Sequence, residues 1–483
     1  MKVKRGIFLS GLVAAVLLWT WAFCTPGYGV VAPERRTERE NYPDGKKKLV
    51  KYFFNEQLEK TEEFFPKLEH APDRLKIEEF YEAGKLSKKK EYYGGGQLKS
   101  EGVYEHEQLV SLKEYGENRK LKSEAAYKDG ELHGPAKEYY LTGSLACEKV
   151  YRNGKLDGPV KEYYEKGQLK TEQIYKNGKQ EGLAKEYYET GQLKKEKVYR
   201  DGKLNGVSKD YFKTGQAEVE ATYLNGALDG LLKRYYGNGK LRDEAVYKDG
   251  KQEGPTREYY RTGPLKSEKV YKRGELHGLA REYYETEILA VEAAYLNGVL
   301  EGPQKRYYEN GKLKDETVFR NGNEEGLAKE YYKAGPLKGE KVYRNGKLNG
   351  LSKDYYESGK SAAEATYSNG HLEGPFKRYY ENGKLKNEAV YENGKFHGIT
   401  KEYYESGQVK SETAYEEGKL EGLVREYYEN GQLKNEKVYK DEKIDGPVRG
   451  FYEQGQLKSE ALYRFGELQG TVKEFEKSGA LKK

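Results

Sequence analysis

The sequence predicts an all-β fold: an elongated, twisted antiparallel β-meander or solenoid of tandem 24-residue two-strand (hairpin) repeats. Three observations carry that prediction. A glycine recurs at one constant spacing, Gly134, Gly158, Gly182 and onward to Gly470, fourteen equal intervals without an insertion or deletion, as expected when each unit stacks on its neighbours in the same way. Between these glycines, short runs rich in Tyr and Val alternate with turn pairs such as Asn153-Gly154, Asn177-Gly178 and Asn345-Gly346. Asn-Gly between strand-like runs specifies a type I′ hairpin turn, because both central residues need positive φ. The third observation is composition: 36% of the 483 residues are hydrophobic and 35% charged, while 48 Tyr and 57 Gly make up more than a fifth. That is too little aliphatic material for several ordinary cores. Disorder is excluded by the aromatic content of 13% and by the balance of 87 basic against 80 acidic residues. Helix is excluded because each interior glycine costs about 1 kcal/mol relative to Ala.

Taken in chain order, residues 1–29 read as a signal peptide or N-terminal membrane anchor. Lys2, Lys4 and Arg5 precede an uninterrupted uncharged stretch from Ile7 to Phe23, which is the layout of a secretory signal and the lower limit in length for a spanning helix. The chain is therefore expected to be exported: periplasmic, secreted or anchored to the membrane by this segment. Cleavage after Cys24 or after Gly29, lipidation at Cys24 and retention as an anchor all stay open. Once Cys24 is removed or modified, Cys147 has no intramolecular partner, so disulfides do not hold the fold together. Residues 30–110 read as divergent half-repeats forming an N-terminal cap. Tyr92, Tyr104 and Tyr115 recur at steps of 11 or 12, one strand plus one turn, and Tyr52, Phe64 and Phe80 extend the series irregularly.

Residues 111–483 are the tandem repeats, with the consensus G-x-x-K-E-Y-Y-x-x-G-x-L-K-x-E-x-x-Y-x-N-G-K-L-x. A two-residue turn at Thr142-Gly143 would set Leu141 opposite Ser144, Tyr140 opposite Leu145 and Lys137 opposite Glu148. A turn at Asn153-Gly154 would set Arg152 opposite Lys155 and Tyr151 opposite Leu156. Both registers put the same residues on the same face: Tyr139, Val150 and the Lys137/Glu148 pair on one, Tyr140, Leu145, Tyr151 and Leu156 on the other. The Glu148 column is Glu in all fifteen copies from Glu124 to Glu460, and its opposing column is always Lys or Arg. Lys137, Glu148, Lys161, Glu172, Lys185 and Glu196 are accordingly expected to form a salt-bridge ladder that fixes register. Tyr139, Tyr140, Tyr163, Tyr164, Tyr187 and Tyr188 are the candidate binding-surface tyrosines.

The units Arg425 to Lys440 (R-E-Y-Y-E-N-G-Q-L-K-N-E-K-V-Y-K) and Tyr391 to Gly398 (Y-E-N-G-K-F-H-G) resemble the bacterial MORN-repeat variant found in YwqK-family antitoxin-like proteins. The resemblance covers 111–483 and, more weakly, 40–110. It implies a twisted antiparallel β-hairpin array acting as a scaffold or binding surface. Eukaryotic MORN proteins are linked to membrane lipids and to protein scaffolding, but this chain lacks Trp in every repeat and uses paired Tyr, so lipid binding does not carry over directly.

The functional expectation is a non-enzymatic exported scaffold presenting a Tyr-rich β surface to a protein partner. Association with a membrane or the cell envelope is a second possibility: binding of membrane lipid or of an envelope glycan. A third reading is an antitoxin or immunity-type neutralising partner. No catalytic residue, metal site or cofactor site is expected, because there is no G-x-S-x-G or P-loop and the six histidines do not cluster with carboxylates. His133, His277 and His397 fall in one column before the repeat glycine and read as turn variants. Nucleic acid is excluded as a partner, since acidic residues interrupt any positive stripe at nearly every step.

Overall fold

A computed structural model describes residues 33–66 and 72–483; the apolar N-terminal run, and the export signal read from it, lie outside the described residues. Among the described residues every regular element is a β-strand. They fall into two compact units, one reaching Leu145 and including Tyr151–Gly154, the other made of Ala146–Val150 and Lys155–Lys483. In the first unit nine strands, from Arg35–Asn41 to Glu131–Tyr139, each pair antiparallel with the next. In the second, Gly158–Tyr163 pairs with Leu169–Lys176, which pairs with Gly182–Tyr187, which pairs with Leu193–Arg200. The same step repeats as far as Leu457–Arg464 and Glu467–Glu474. Tandem antiparallel hairpins are therefore the fold, as the glycine period and the turn pairs require.

The Asn-Gly turns are as predicted. Asn177 and Gly178 take φ of 50° and 80°, both positive as type I′ demands, and set Lys176 opposite Lys179 and Tyr175 opposite Gln180. The Tyr-Tyr turns are not the two-residue turns expected. Gly143 N–H donates to the Tyr140 carbonyl at 2.8 Å and Tyr140 N–H to the Ser144 carbonyl at 2.9 Å, so the turn spans Tyr140–Gly143 and ends on a left-handed glycine with φ 91°. Tyr140 thus meets Ser144 instead of Leu145, and Leu141 is a turn residue, 83% exposed. In the following units Leu169 and Leu193 lie opposite Tyr163 and Tyr187, and a bulge takes up the extra residue. The leucines of this column therefore sit beside the first Tyr of each pair, a correction to the face assigned to Leu145. Because the bulge restores register, Lys161 still faces Glu172 and Lys185 still faces Glu196.

Both long edges of the sheet are closed by bonds from one unit to the next. Along the Tyr-Tyr turns, the second tyrosine donates its hydroxyl to the carbonyl that ends the next unit's first strand: Tyr164 to Tyr187 at 2.8 Å, Tyr188 to Tyr211 at 2.8 Å and Tyr260 to Tyr283 at 2.7 Å. Along the Asn-Gly turns, Gly178 N–H donates to the Leu156 carbonyl at 2.7 Å and Gly202 N–H to the Gln180 carbonyl at 2.9 Å. Where the residue before the repeat glycine is acidic, its side chain can cap the following turn, as Glu181 accepts from Asp201 N–H at 2.9 Å and Glu253 from Arg273 N–H at 2.7 Å. Half-exposed backbone groups that a meander leaves unpaired at its turns are thereby satisfied. Tyr260→Phe keeps the ring and removes one such bond. It is expected to cost about 0.5–1.5 kcal/mol and to speed amide hydrogen exchange locally at 260–264 and 283–288; unchanged exchange there would show the hydroxyl to be idle.

A further order appears in some of the units. Asn238, Asn310 and Asn382, each three units from the next, donate to the carbonyls of Arg261, Lys333 and Glu405 in the adjoining turn at 3.0, 2.9 and 3.0 Å. In two of those same units Arg234 and Arg306 pair with Asp243 and Asp315, both at 2.7 Å. Neither feature follows from the single-unit consensus; R-Y-Y-x-N-G-K recurs at three-unit steps, while Asn430 makes the same turn contact outside it, to the Glu453 carbonyl at 2.9 Å.

Among the described residues no second layer covers the sheet, and burial falls mainly on small side chains shielded by their neighbours. Ala221, Ala245 and Ala293 are 2–4% exposed, all on the face opposite the Lys/Glu ladder. Beside them runs an aromatic column in which Tyr391, Phe396 and Tyr415 stack at 4.6 and 5.1 Å between ring centroids. Tyr and the Leu-type residue thus alternate across strands and cover each other's faces.

Candidate functional site

The ladder face has three parallel columns. The central one is the charged column, and from Glu172 to Glu460 each carboxylate in it stands between two cations. Glu172 opposes Lys161 on one side and Lys185 on the other, and Glu196 opposes Lys185 and Lys209. In the second unit the series runs unbroken from Glu148↔Lys161 to Glu460↔Lys473. The Lys side chains approach one partner, at 3.6 Å for Lys161–Glu172 and 3.9 Å for Lys185–Glu196. Arg257 reaches both, at 3.3 Å to Glu244 and 2.8 Å to Glu268, since a guanidinium fork offers separate donors to each side. Lys137 approaches Glu124 at 3.9 Å. At the start of the column two carboxylates meet directly, Glu62 opposite Glu78; Lys60 bridges them, and Tyr52 and Tyr92 donate hydroxyls to them at 2.9 Å.

The column beside the ladder holds the first tyrosine of each pair, and in most units its hydroxyl reaches back to the Glu of the preceding unit. Tyr139 donates to Glu124 at 2.8 Å, Tyr163 to Glu148 at 3.2 Å, Tyr211 to Glu196 at 2.9 Å and Tyr403 to Glu388 at 2.7 Å. Burial of the phenol, and then the carboxylate that accepts its proton, push Tyr211 up to about 12 and raise Tyr163 and Tyr403 as well. Glu412 shows the complement. Burial works against its ionisation, but hydrogen bonds from Lys401 and Tyr427 and the nearby Arg425 charge outweigh it and hold the carboxyl below its usual range. The Glu412 carboxylate is thus held as an anion and serves as acceptor for both a cation and a phenol.

The candidate tyrosines accordingly occupy two different positions. Tyr139, Tyr163 and Tyr187 lie in the column beside the ladder, while Tyr164 and Tyr188 hold the Tyr-Tyr turns through the carbonyl bonds already described; Tyr140 opens the turn at Gly143.

On the other side of the ladder lies a column not singled out from the sequence. It consists of cross-strand pairs formed by the residue after each repeat glycine and the residue two after each ladder Glu: Leu183↔Val198, Val207↔Thr222, Leu231↔Val246, and so on from Pro159↔Ile174 to Pro447↔Leu462. All thirteen rows are built from Leu, Ile, Val, Pro, Ala and Thr. Eleven of the large members are 37–57% exposed, and among the described residues no element packs over them. The signal was available as an aliphatic column with the period of the repeat, flanking the Lys/Glu columns. Among the described residues, no group of three or more His, Cys, Asp and Glu is placed to hold a metal ion.

Among the solved structures that the chain resembles are toxin-complex assemblies, at very low identity. A Tc holotoxin pore of Photorhabdus luminescens is 14% identical, with 92% of this chain and 25% of that chain covered and a TM-score of 0.14. A TcdB2–TccC3–Cdc42 crystal structure is 9% identical, with 91% and 31% covered and a TM-score of 0.12. This chain spans about a quarter to a third of the length of those chains, and scores this low say nothing about its fold or partners. A search of curated proteins gives no match. The family comparison is specific: the MORN repeat variant matches ten segments, residues 132–153, 156–177, 180–201, 228–249, 300–321, 348–369, 372–393, 396–417, 420–441 and 444–464. Each matched segment spans one ladder Glu with its flanking turns, so the family pattern and the structural unit coincide, and the chain is a MORN-repeat protein.

Proposed function

We propose that this chain is a non-enzymatic, exported repeat scaffold that presents its β surface to a protein or envelope partner. The MORN repeats support a scaffold or binding role. The observation that carries the reading further is the aliphatic column on the ladder face: thirteen rows with no charged residue, half-exposed, in a chain otherwise 35% charged. A solvent-facing strand column has no need of aliphatic side chains, and an exposed apolar strip of this length marks a contact surface. Export rests on the basic and apolar layout of residues 1–29. Cell fractionation with N-terminal sequencing of the full chain is expected to find it outside the cytoplasm. A cytoplasmic chain with residues 1–29 intact would overturn the exported part of the reading and favour the neutralising-partner alternative.

A further inference from the structure

We infer that the aliphatic column of the ladder face is the contact surface for a second copy of this chain, packed face to face about a two-fold axis parallel to the strands. The inference rests on the scaffold reading and names the partner. Three properties of the surface lead to it.

The first is charge. First strands carry Lys or Arg in the ladder and second strands carry Glu, in strict alternation from Glu148↔Lys161 to Glu460↔Lys473. A two-fold axis parallel to the strands reverses strand order but keeps position along each strand, so it lays aliphatic column on aliphatic column and ladder on ladder. Placed midway between neighbouring strands, it sets every first strand over a second strand, and each cation then faces a carboxylate of the other copy. The surface is its own electrostatic complement, as an isologous contact requires. An anionic bilayer would instead meet one carboxylate for every cation.

The second is period. A partner in contact with all thirteen rows must match the pitch and twist of this sheet over that whole distance. A second copy does so by construction, and two sheets of equal twist pack with their strands nearly aligned, about 10 Å apart. Fourteen equal intervals without an insertion keep that match along the chain.

The third is area. Eleven large side chains at 37–57% exposure leave on the order of 900 Å² of apolar surface in this column alone, against the roughly 800 Å² per partner that a standard specific interface buries. The ladder and the first tyrosines on its far side would form the polar rim.

The test is the oligomeric state of the full chain, by sedimentation equilibrium over a concentration series. The wild type is expected to be a dimer in the micromolar range. The triple variant Leu231→Glu, Leu279→Glu, Leu327→Glu should weaken association at least 100-fold with the far-UV circular dichroism unchanged. The milder set Leu231→Thr, Leu279→Thr, Leu327→Thr keeps strand propensity and should weaken it about 10-fold. Leu141→Glu, an exposed turn residue off the column, should leave it unchanged. A wild-type monomer at tens of micromolar, or a dimer indifferent to the threonine set, overturns the inference. A monomer that still binds an envelope or protein partner, and loses it with the threonine set, would overturn the second copy while leaving the scaffold reading in place.

Discussion

Raising the pH from about 10 to about 12 is expected to unfold the sheet cooperatively, with loss of β circular dichroism tracking the appearance of tyrosinate. In the column beside the ladder, burial and the carboxylates that accept the phenol hydrogen bonds push Tyr211 up to about 12 and shift Tyr235, Tyr259 and Tyr331 in the same direction. A group whose folded pKa lies above its unfolded value stabilises the fold fully below the unfolded value, about 10 for Tyr, and loses that contribution as pH rises through the folded value. The limiting slope is about 1.4 kcal/mol per pH unit for each such phenol, reduced by solvent screening at rings that are only half-buried. The loss recurs in unit after unit, because an ionised Tyr211 would place a second anion against Glu196, at 2.9 Å in the neutral pair. Replacing Tyr211, Tyr235 and Tyr259 together by Phe retains the rings and removes three titrations. The alkaline midpoint of this variant should move upward. Tyrosinate forming fully while the β spectrum persists would contradict the mechanism.

The sequence made the register legible and left the turn ambiguous, for one physical reason. A strand pair has period two, so the columns Lys161/Glu172 and Lys185/Glu196 can be read without knowing how the chain reverses. At Tyr140–Gly143 a longer turn and a compensating bulge leave those columns where a two-residue turn would have put them. The column pattern cannot distinguish the two, and only Leu145 and its equivalents change face. The roles of the tyrosines were hidden for a different reason. Tyr164 and Tyr163 are adjacent, yet one hydroxyl reaches the Tyr187 carbonyl in the unit ahead and the other the Glu148 carboxylate in the unit behind. Those reaches are set by strand spacing and bulge placement, which no single unit encodes. The aliphatic column lay in plain sight at Leu183 and Val198, but a low total of aliphatic residues conceals that a large part of them stand on one exposed line.

The largest effect of a single substitution is expected at Gly158. This glycine begins its unit opposite Tyr175 with φ 144°, a conformation that L residues rarely adopt, and a Cβ added there would stand 2.9 Å from Val150 Cβ. Both atoms are fixed to paired backbone, so neither can rotate away. Gly398 occupies the same place in its own unit, with φ 77° and nothing within 4 Å of an added Cβ. Gly398→Ala should therefore cost only the conformational strain, about 1 kcal/mol, whereas Gly158→Ala adds the clash and should cost about 2–4 kcal/mol. Because each unit touches only its neighbours, the damage should stay local: hydrogen exchange should accelerate across 155–176 while strands beyond Gly206 keep their protection. Urea midpoints and exchange maps of the two alanine variants test this directly, and equal costs at the two sites would show that backbone conformation alone governs the repeat glycine. The same melt would remove the Pro159↔Ile174 row from the aliphatic column and leave the twelve that follow. If a second copy covers that column, Gly158→Ala should lower stability far more than it lowers dimer affinity.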